Sequence, residues 1–363
     1  MLRKLFLILF ILTSVSFASE HGIYLRLIKN SNKNLTETSQ VISTNLKNAG
    51  FKILAIRDVA TPDIVREKAS EQCGFKAVEV LFTSDEYVAF LTSYGKKYIA
   101  AALLRVAVYQ TPNGTQVNIV DPETINRIVF NDLYDNDEEA KYNEVISKTK
   151  SFRTKIIEAV HAIGEGTAVQ KAMPPIRSDE DLAESSKDMF MMVGHMTFFT
   201  DDDQFPVIYK EKAENVQTQI AELINKIKRN IKTEKPGADD IDYRFTKSPD
   251  VLKWKIVAEV YSADKTVALL GITRPRTEGL SMDIAGASRE TAANKCPGID
   301  HAGAFPIEVV IYRDGENLIV RTPREMFRMD MFFWDAGMKA FMNHMSMPKL
   351  LDESLKHAMF RIK

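Results

Sequence analysis

The run Cys296-Pro297-Gly298-Ile299-Asp300-His301 sets a thiol and an imidazole five residues apart in a stretch that also holds Gly and Pro. A pair at that spacing can converge on one metal ion or on haem iron, and an imidazole beside a thiol can lower its pKa and make it a nucleophile. Four-ligand zinc spacing is absent, since no second Cys or His stands close by. The chain has two cysteines, so Cys296 has one possible disulfide partner, Cys73. A bridge that would tie two domains together and two separate thiols both satisfy the sequence. A few residues upstream, Arg274-Pro275-Arg276 puts two guanidinium groups beside a rigid residue, a pattern suited to planar recognition of carboxylate, sulfate or phosphate. On a solvated loop the same pair makes only weak surface ion pairs.

Soft ligands gather near the C-terminus, where Met338, Met342 and Met345 surround His344, and again at Met189, Met191, Met192, His195 and Met196. Thioethers and imidazole favour Cu(I). The spacing of Met338, Met342 and Met345 is also that of one buried helical stripe, the default use of such residues, and a Met-lined pocket for an apolar ligand is a further use. Hydrolytic chemistry has no support: there is no G-x-S-x-G elbow, no H-E-x-x-H helix and no Gly-rich phosphate loop. Asp201-Asp202-Asp203 lacks the spaced acceptors of a calcium loop.

These residues must be positioned by a chain that repeats itself. Residues 84–91 (S-D-E-Y-V-A-F-L) match 263–270 (A-D-K-T-V-A-L-L), and Tyr109 with Pro122 finds counterparts in Tyr312 and Pro323. Asp85 to Tyr109 is 24 residues and Asp264 to Tyr312 is 48, so copy two carries an insertion, and Arg274, Arg276, Cys296 and His301 fall inside it. On this match Asp85 and Asp264 should both cap short helices.

The alternating run Ile23–Ile28 reads as a strand, followed by a helix capped by Thr36 or Thr38 and stopped by Gly50. Phe51–Ile56 and Phe75–Phe82 read as strands, with a helix over Pro62–Gln72 between them. Asn113-Gly114 and Asp314-Gly315 mark hairpin turns. This order implies an α+β fold of two tandem domains, each an antiparallel sheet packed against helices. The expected units are residues 19–133, a helical linker over 134–180, and 181–363 with an insertion near 271–304.

Residues 1–18 have the form of a cleavable signal peptide: Arg3-Lys4, an apolar run Leu5–Leu12 and Ser16-Phe17-Ala18. The expectation is a periplasmic or secreted chain with no stable membrane span. A net charge of −1 gives no basic excess for a nucleic-acid partner.

Gly50-Phe51-Lys52-Ile53-Leu54, the short Asp-started helix, and the hairpin Val106-Ala107-Val108-Tyr109 closing on Asp121-Pro122 together resemble the family known as domain of unknown function 302. The resemblance covers roughly residues 23–130 and, more faintly, 189–330. It implies small α+β domains that can leave an apolar pocket between sheet and helices, and it brings no catalytic residues. Copy one departs from the family pattern with Thr83-Ser84-Asp85 and Leu103-Leu104-Arg105, whereas copy two keeps Phe305-Pro306 before its hairpin.

The expected function is a non-catalytic binding or carrier protein for a small anionic or apolar ligand, with Arg274, Arg276, Cys296 and His301 as the candidate site. The alternative is a thiol-dependent or metal-dependent redox protein centred on Cys296 and His301, with copper or haem as cofactor and Met342, His344 and Met345 as further ligands. A structural or interaction role is a third.

Overall fold

The computed structural model describes residues 20–136, 138–183, 204–235, 249–333, 335–337 and 347–361. It contains two antiparallel sheets packed with helices. The first half runs β1 (Tyr24–Ser31), α1 (Leu35–Asn48), β2 (Lys52–Val59), β3 (Ala77–Thr83), α2 (Asp85–Tyr94), β4 (Leu104–Thr111), β5 (Gly114–Val120), α3 (Pro122–Val129), α4 (Glu139–His161) and β6 (Thr167–Ala172). The second runs β7 (Val207–Lys212), α5 (Val216–Thr233), β8 (Lys255–Tyr261), β9 (Val267–Thr273), α6 (Pro275–Gly286), β10 (Ile307–Asp314), β11 (Asn317–Arg321), α7 (Glu325–Phe332) and α8 (Met347–Phe360).

The first sheet has the order β2-β3-β4-β5-β1-β6 and the second β8-β9-β10-β11-β7, so five strands follow one another identically in both. Tyr109 pairs with Ala77, the first residue of β3, and Tyr312 with Val267, the first residue of β9. Those two tyrosines are therefore equivalent.

The match between Asp85 and Asp264 does not hold. Ser84, not Asp85, caps α2 by accepting the Tyr87 N–H. Asp264 sits in the β8–β9 turn, where its carboxylate accepts from Thr266 N at 3.1 Å and from Ser262 Oγ at 2.6 Å. The shared Val-Ala run is helix in one half and the start of fully buried β9 in the other, because a short apolar run suits either element. By register, Thr83 and Thr273 correspond. The inserted chain is then shorter: only Gly95 separates α2 from the 3-10 segment Lys96–Ala102, whereas residues 287–296 separate α6 from its counterpart Pro297–Ala304.

Other local expectations also shift. Asn34, not a threonine, caps α1 through Glu37 N at 2.9 Å. Pro62–Gln72 forms only a 3-10 turn at Pro62–Ile64, because the Asp63 carboxylate accepts Cys73 N at 2.8 Å and Gly74 N at 2.7 Å and folds the segment back. The presumed linker belongs to the first half: α4 packs on α1, α3 and β1, and β6 adds to the sheet beside β1. No described helix is long and apolar enough to cross a membrane.

Each sheet is covered on both faces. In the first, α1 and α4 cover one face, where Val106 and Val108 join the main core. The alternate residues Ala107 and Tyr109 face the other half of the chain, packing with Met282, Ile299 and Ala302. The two 3-10 segments exchange places: Lys96–Ala102 lies on β9 and β10, and Pro297–Ala304 lies on β3, β4 and β5. The approach is close, since a Cβ at Gly303 would meet Val120 Cγ2 at 2.9 Å and one at Gly271 would meet Leu103 Cδ2 at 3.1 Å across the halves.

Charged residues on these inner faces pair across the halves. Arg57 donates to Glu79 at 2.8 Å and to Glu278 of α6 at 2.5 Å. Arg105 and Glu308 occupy equivalent positions, opposite Leu81 and Gly271 in their sheets, and they bond to each other.

Candidate functional site

Cys296 is bonded to Cys73, with their Cα atoms 6.0 Å apart and a separation of 223 positions in sequence. The bridge joins the segment after β2 to the loop inserted before Pro297–Ala304. Around it, Asp63 Oδ1 lies 3.7 Å from Cys296 Sγ, and the Arg66 guanidinium lies 3.7 Å away on another side. Potential ligand atoms of Asp63, Cys73 and Cys296 fall within 4.8 Å of one another. Both sulfurs are spent in the S–S bond, and a metal needs thiolates.

His301 does not meet Cys296 at a common ligand position. Its Nδ1 is 2.7 Å from Asp300 Oδ1 and its Nε2 is 2.8 Å from Asp335 Oδ1, so both nitrogens that a metal would use are engaged. Arg289 from the inserted loop closes the cluster with two bonds to Asp300, at 2.8 and 3.0 Å, and reaches Asp335 at 3.3 Å. Tyr24 meets the imidazole edge-on and Phe333 stacks on it. Burial would lower the His301 pKa, but the flanking Asp300 and Asp335 carboxylates outweigh it and hold the group up at about 9. His301 is thus an imidazolium that pins the 3-10 segment to β1 and to the end of α7.

This cluster sets a pH dependence. With its folded pKa above the ordinary value of 6.5, His301 contributes stability that is complete below that value and lost as pH rises through about 9. Burial raises Glu79, against the opposing pull of Arg57, to about 7, so its contribution likewise fades as pH rises. His301 alone should make the free energy of urea unfolding fall by about 3 kcal/mol between about pH 6 and pH 9.5, and Glu79 and Glu325, both raised by burial, add to the fall over the same range. His301→Gln should make the fall shallower by the His301 share; a variant with the wild-type slope would show that the imidazolium contributes none of it.

Arg274 and Arg276 take structural places. Both are 5% exposed. Arg274 stacks on Trp254 at 4.6 Å and bonds Thr277 Oγ1 and Ser354 Oγ. Neither lines the cavity described next, so the expected loop of two anion-facing arginines is corrected: Pro275 starts helix α6, and the following turn is buried by the other half. Met342, His344 and Met345 lie outside the described residues, as does the cluster at Met189–Met196.

A cavity of about 580 Å3 opens where the inserted loop meets the first sheet. Its floor is β1 and the β4–β5 hairpin; its far wall is Ala293, Asn294, Cys296 and Pro297, reaching to Ile299. Arg26 of β1 lines it, half-buried, with Nη2 donating to Tyr109 Oη at 2.6 Å and Nε to Asn118 Oδ1 at 3.3 Å. Asn118 in turn donates to the Asp300 carbonyl at 3.2 Å, which fixes its amide. Among the described residues Arg26 makes no ion pair with a carboxylate; Lys29 lines the same cavity, and so does Asp300, whose carboxylate is taken up by Arg289 and His301. Burial pushes the Tyr109 hydroxyl far up, so it stays a neutral donor and acceptor.

The cavity is polar and lies between the halves, not in an apolar gap between sheet and helices as the family resemblance implies. Cys296 is the one residue of the expected site that reaches it. Arg26 was hidden in plain view: an arginine inside the apolar run Ile23–Ile28 reads as the solvent-facing side of a half-buried strand.

Comparison with known proteins adds one likeness. No family model matches the sequence, and no curated protein matches it either. A solved structure that it resembles is the crystal structure of the uncharacterized conserved protein DUF302 from Bacillus stearothermophilus, 12% identical over 38% of this chain and 95% of that chain, with a TM-score of 0.29.

Proposed function

We propose that this is an exported, non-catalytic binding or carrier protein made of two divergent tandem copies of the domain of unknown function 302 fold, and that its ligand is a small carboxylate held in the cavity between the halves. The single observation that carries the reading is Arg26, a half-buried guanidinium facing a cavity without an acidic partner among the described residues. Tyr109 and Asn118 hold it by two of its donors, which leaves the remaining edge to meet a carboxylate. Lys29 adds a second cation, and the amides of Gln116 and Asn294 suit the polar body of such a ligand. The shared strand order and the equivalence of Tyr109 with Tyr312 support the tandem reading.

Calorimetric titration with succinate at low salt tests the site, with inorganic phosphate and sulfate as competitors. A bond between a charged donor and its acceptor contributes about 1.5–3 kcal/mol, so Arg26→Ala should weaken succinate by roughly 10-fold to 100-fold. Added salt should weaken it less steeply in the variant than in the wild type. Unchanged affinity in Arg26→Ala would sink the assignment.

A further inference from the structure

We infer that the Cys73–Cys296 disulfide is an exchangeable clasp on the wall of this cavity, so that a dithiol reductant controls how tightly the ligand is held; the control of the ligand, though not the clasp itself, rests on the reading of the cavity above. Cys296 has two roles at once: it ends the inserted loop 287–296 and it lines the cavity. The bond therefore fixes the wall directly, with no intermediate element.

The other ties between this loop and the first half are few and wet. Arg66 bonds Glu290 at 3.0 Å and the Lys295 carbonyl at 2.6 Å, and Lys295 Nζ bonds the Ser70 carbonyl at 2.5 Å. The Glu290 side chain is 38% exposed, and ion pairs at that exposure hold a loop weakly. On the C-terminal side the chain is seated independently of the disulfide: a Cβ on Gly298 would fall 1.9 Å from the Met282 carbonyl, so this part of the 3-10 segment is packed directly on α6. Arg289 stays tied to Asp300 and Asp335, so opening the bond releases residues 290–296 and leaves the segment after them in place.

The two sulfurs are unequal in a way that directs exchange. Cys73 is half-exposed and Cys296 is 1% exposed, so an incoming thiolate reaches Cys73 first. Attack on Cys73 Sγ forms a mixed disulfide and expels Cys296 as a thiolate, which takes the electron pair of the broken bond. The Arg66 guanidinium 3.7 Å away stabilises that leaving group, while the Asp63 carboxylate on the other side is held by two backbone N–H groups. The second thiol of the reductant, as thiolate, then attacks the mixed disulfide and releases Cys73. The chain gains two electrons and two protons and ends as two thiols, and the reductant ends as a cyclic disulfide.

The test uses the full-length protein treated with dithiothreitol, with thiol titration to confirm opening and near-UV circular dichroism to follow the fold. Reduction should leave the dichroism signal in place and make Lys295 the first tryptic cleavage site, while Arg289, held by Asp300, stays protected. Affinity for succinate should fall by about tenfold, which is about 1.4 kcal/mol, and return on reoxidation. The clasp is overturned if the disulfide resists dithiothreitol in the folded protein, if Lys295 stays as protected as in the oxidised form, or if reduction unfolds the whole chain. If succinate fails to bind the oxidised protein while reduction still exposes Lys295, the clasp on the loop stands and the ligand reading is the one that fails.

Discussion

Glu308→Gln should destabilise the protein by about 3–5 kcal/mol, read from urea unfolding at neutral pH. Glu308 is 4% exposed and takes a bond from Arg105 on one carboxylate oxygen and from Arg328 on the other. Arg105 is 3% exposed and Arg328 fully buried, each lying against the Phe332 ring. One carboxylate thus holds two arginines in the seam between the halves. Nearby Glu325 does not replace it, since burial, against the attraction of Arg328, pushes Glu325 up to about 8 and keeps most of it protonated at neutral pH. Neutralising Glu308 leaves two desolvated cations facing each other, the situation in which a broken buried pair costs most. The asymmetry is a sharper check. Arg105→Leu should cost clearly less, because Glu308 still pairs with Arg328 after the change. A Glu308→Gln protein within about 1 kcal/mol of wild type would remove the seam from any account of this fold.

Cys73→Ser and Cys296→Ser should each lower stability by up to about 5 kcal/mol in the chain-entropy model, because the bridge closes a loop of 223 residues. The double variant should be no worse than either single one, since each alone already abolishes the bond. Equal midpoints for the two single variants, a matching double, and one newly titratable thiol in each single variant are the expected results. If either serine variant unfolds at the wild-type midpoint, the bridge contributes nothing to holding the halves together. This global effect is separate from the local loosening of residues 290–296, which is read by where trypsin cuts.

How much of this was legible beforehand follows from what each residue needs to know about its surroundings. The strands at Tyr24–Ser31, Lys52–Val59 and Ala77–Thr83 announce themselves as apolar or alternating runs, and Asn113-Gly114 announces its hairpin. Those signals act between residues a few positions apart, within one element or one turn. The Asp63 carboxylate, by contrast, binds backbone ten and eleven residues away and thereby prevents the helix that Pro62–Gln72 could otherwise have formed. Cap choice between Asn34, Thr36 and Thr38, and between Ser84 and Asp85, depends on where the preceding strand ends, which neighbouring propensities do not specify.

The site was legible only in part, for one physical reason. A strand with one apolar and one polar side normally turns the polar side to water. Here the polar sides of both sheets are turned toward the other half, so Glu79, Arg105 and Glu308 are buried partners and Arg57 a half-buried one instead of surface charges.

The sequence by itself determined the α+β composition of each half, the hairpins with their equivalent tyrosines, and the presence of extra chain before Cys296, because these depend on local propensity and on spacing along the chain. Only the tertiary structure decided that the 3-10 segments exchange, that Cys73 and Cys296 bond, that His301 is locked between Asp300 and Asp335, and that Arg26 faces the cavity while Arg274 and Arg276 do not. Each of those outcomes requires segments from different elements of the fold to choose which faces meet, and that choice is made by burying apolar area and pairing buried charge, terms that no single stretch of sequence contains.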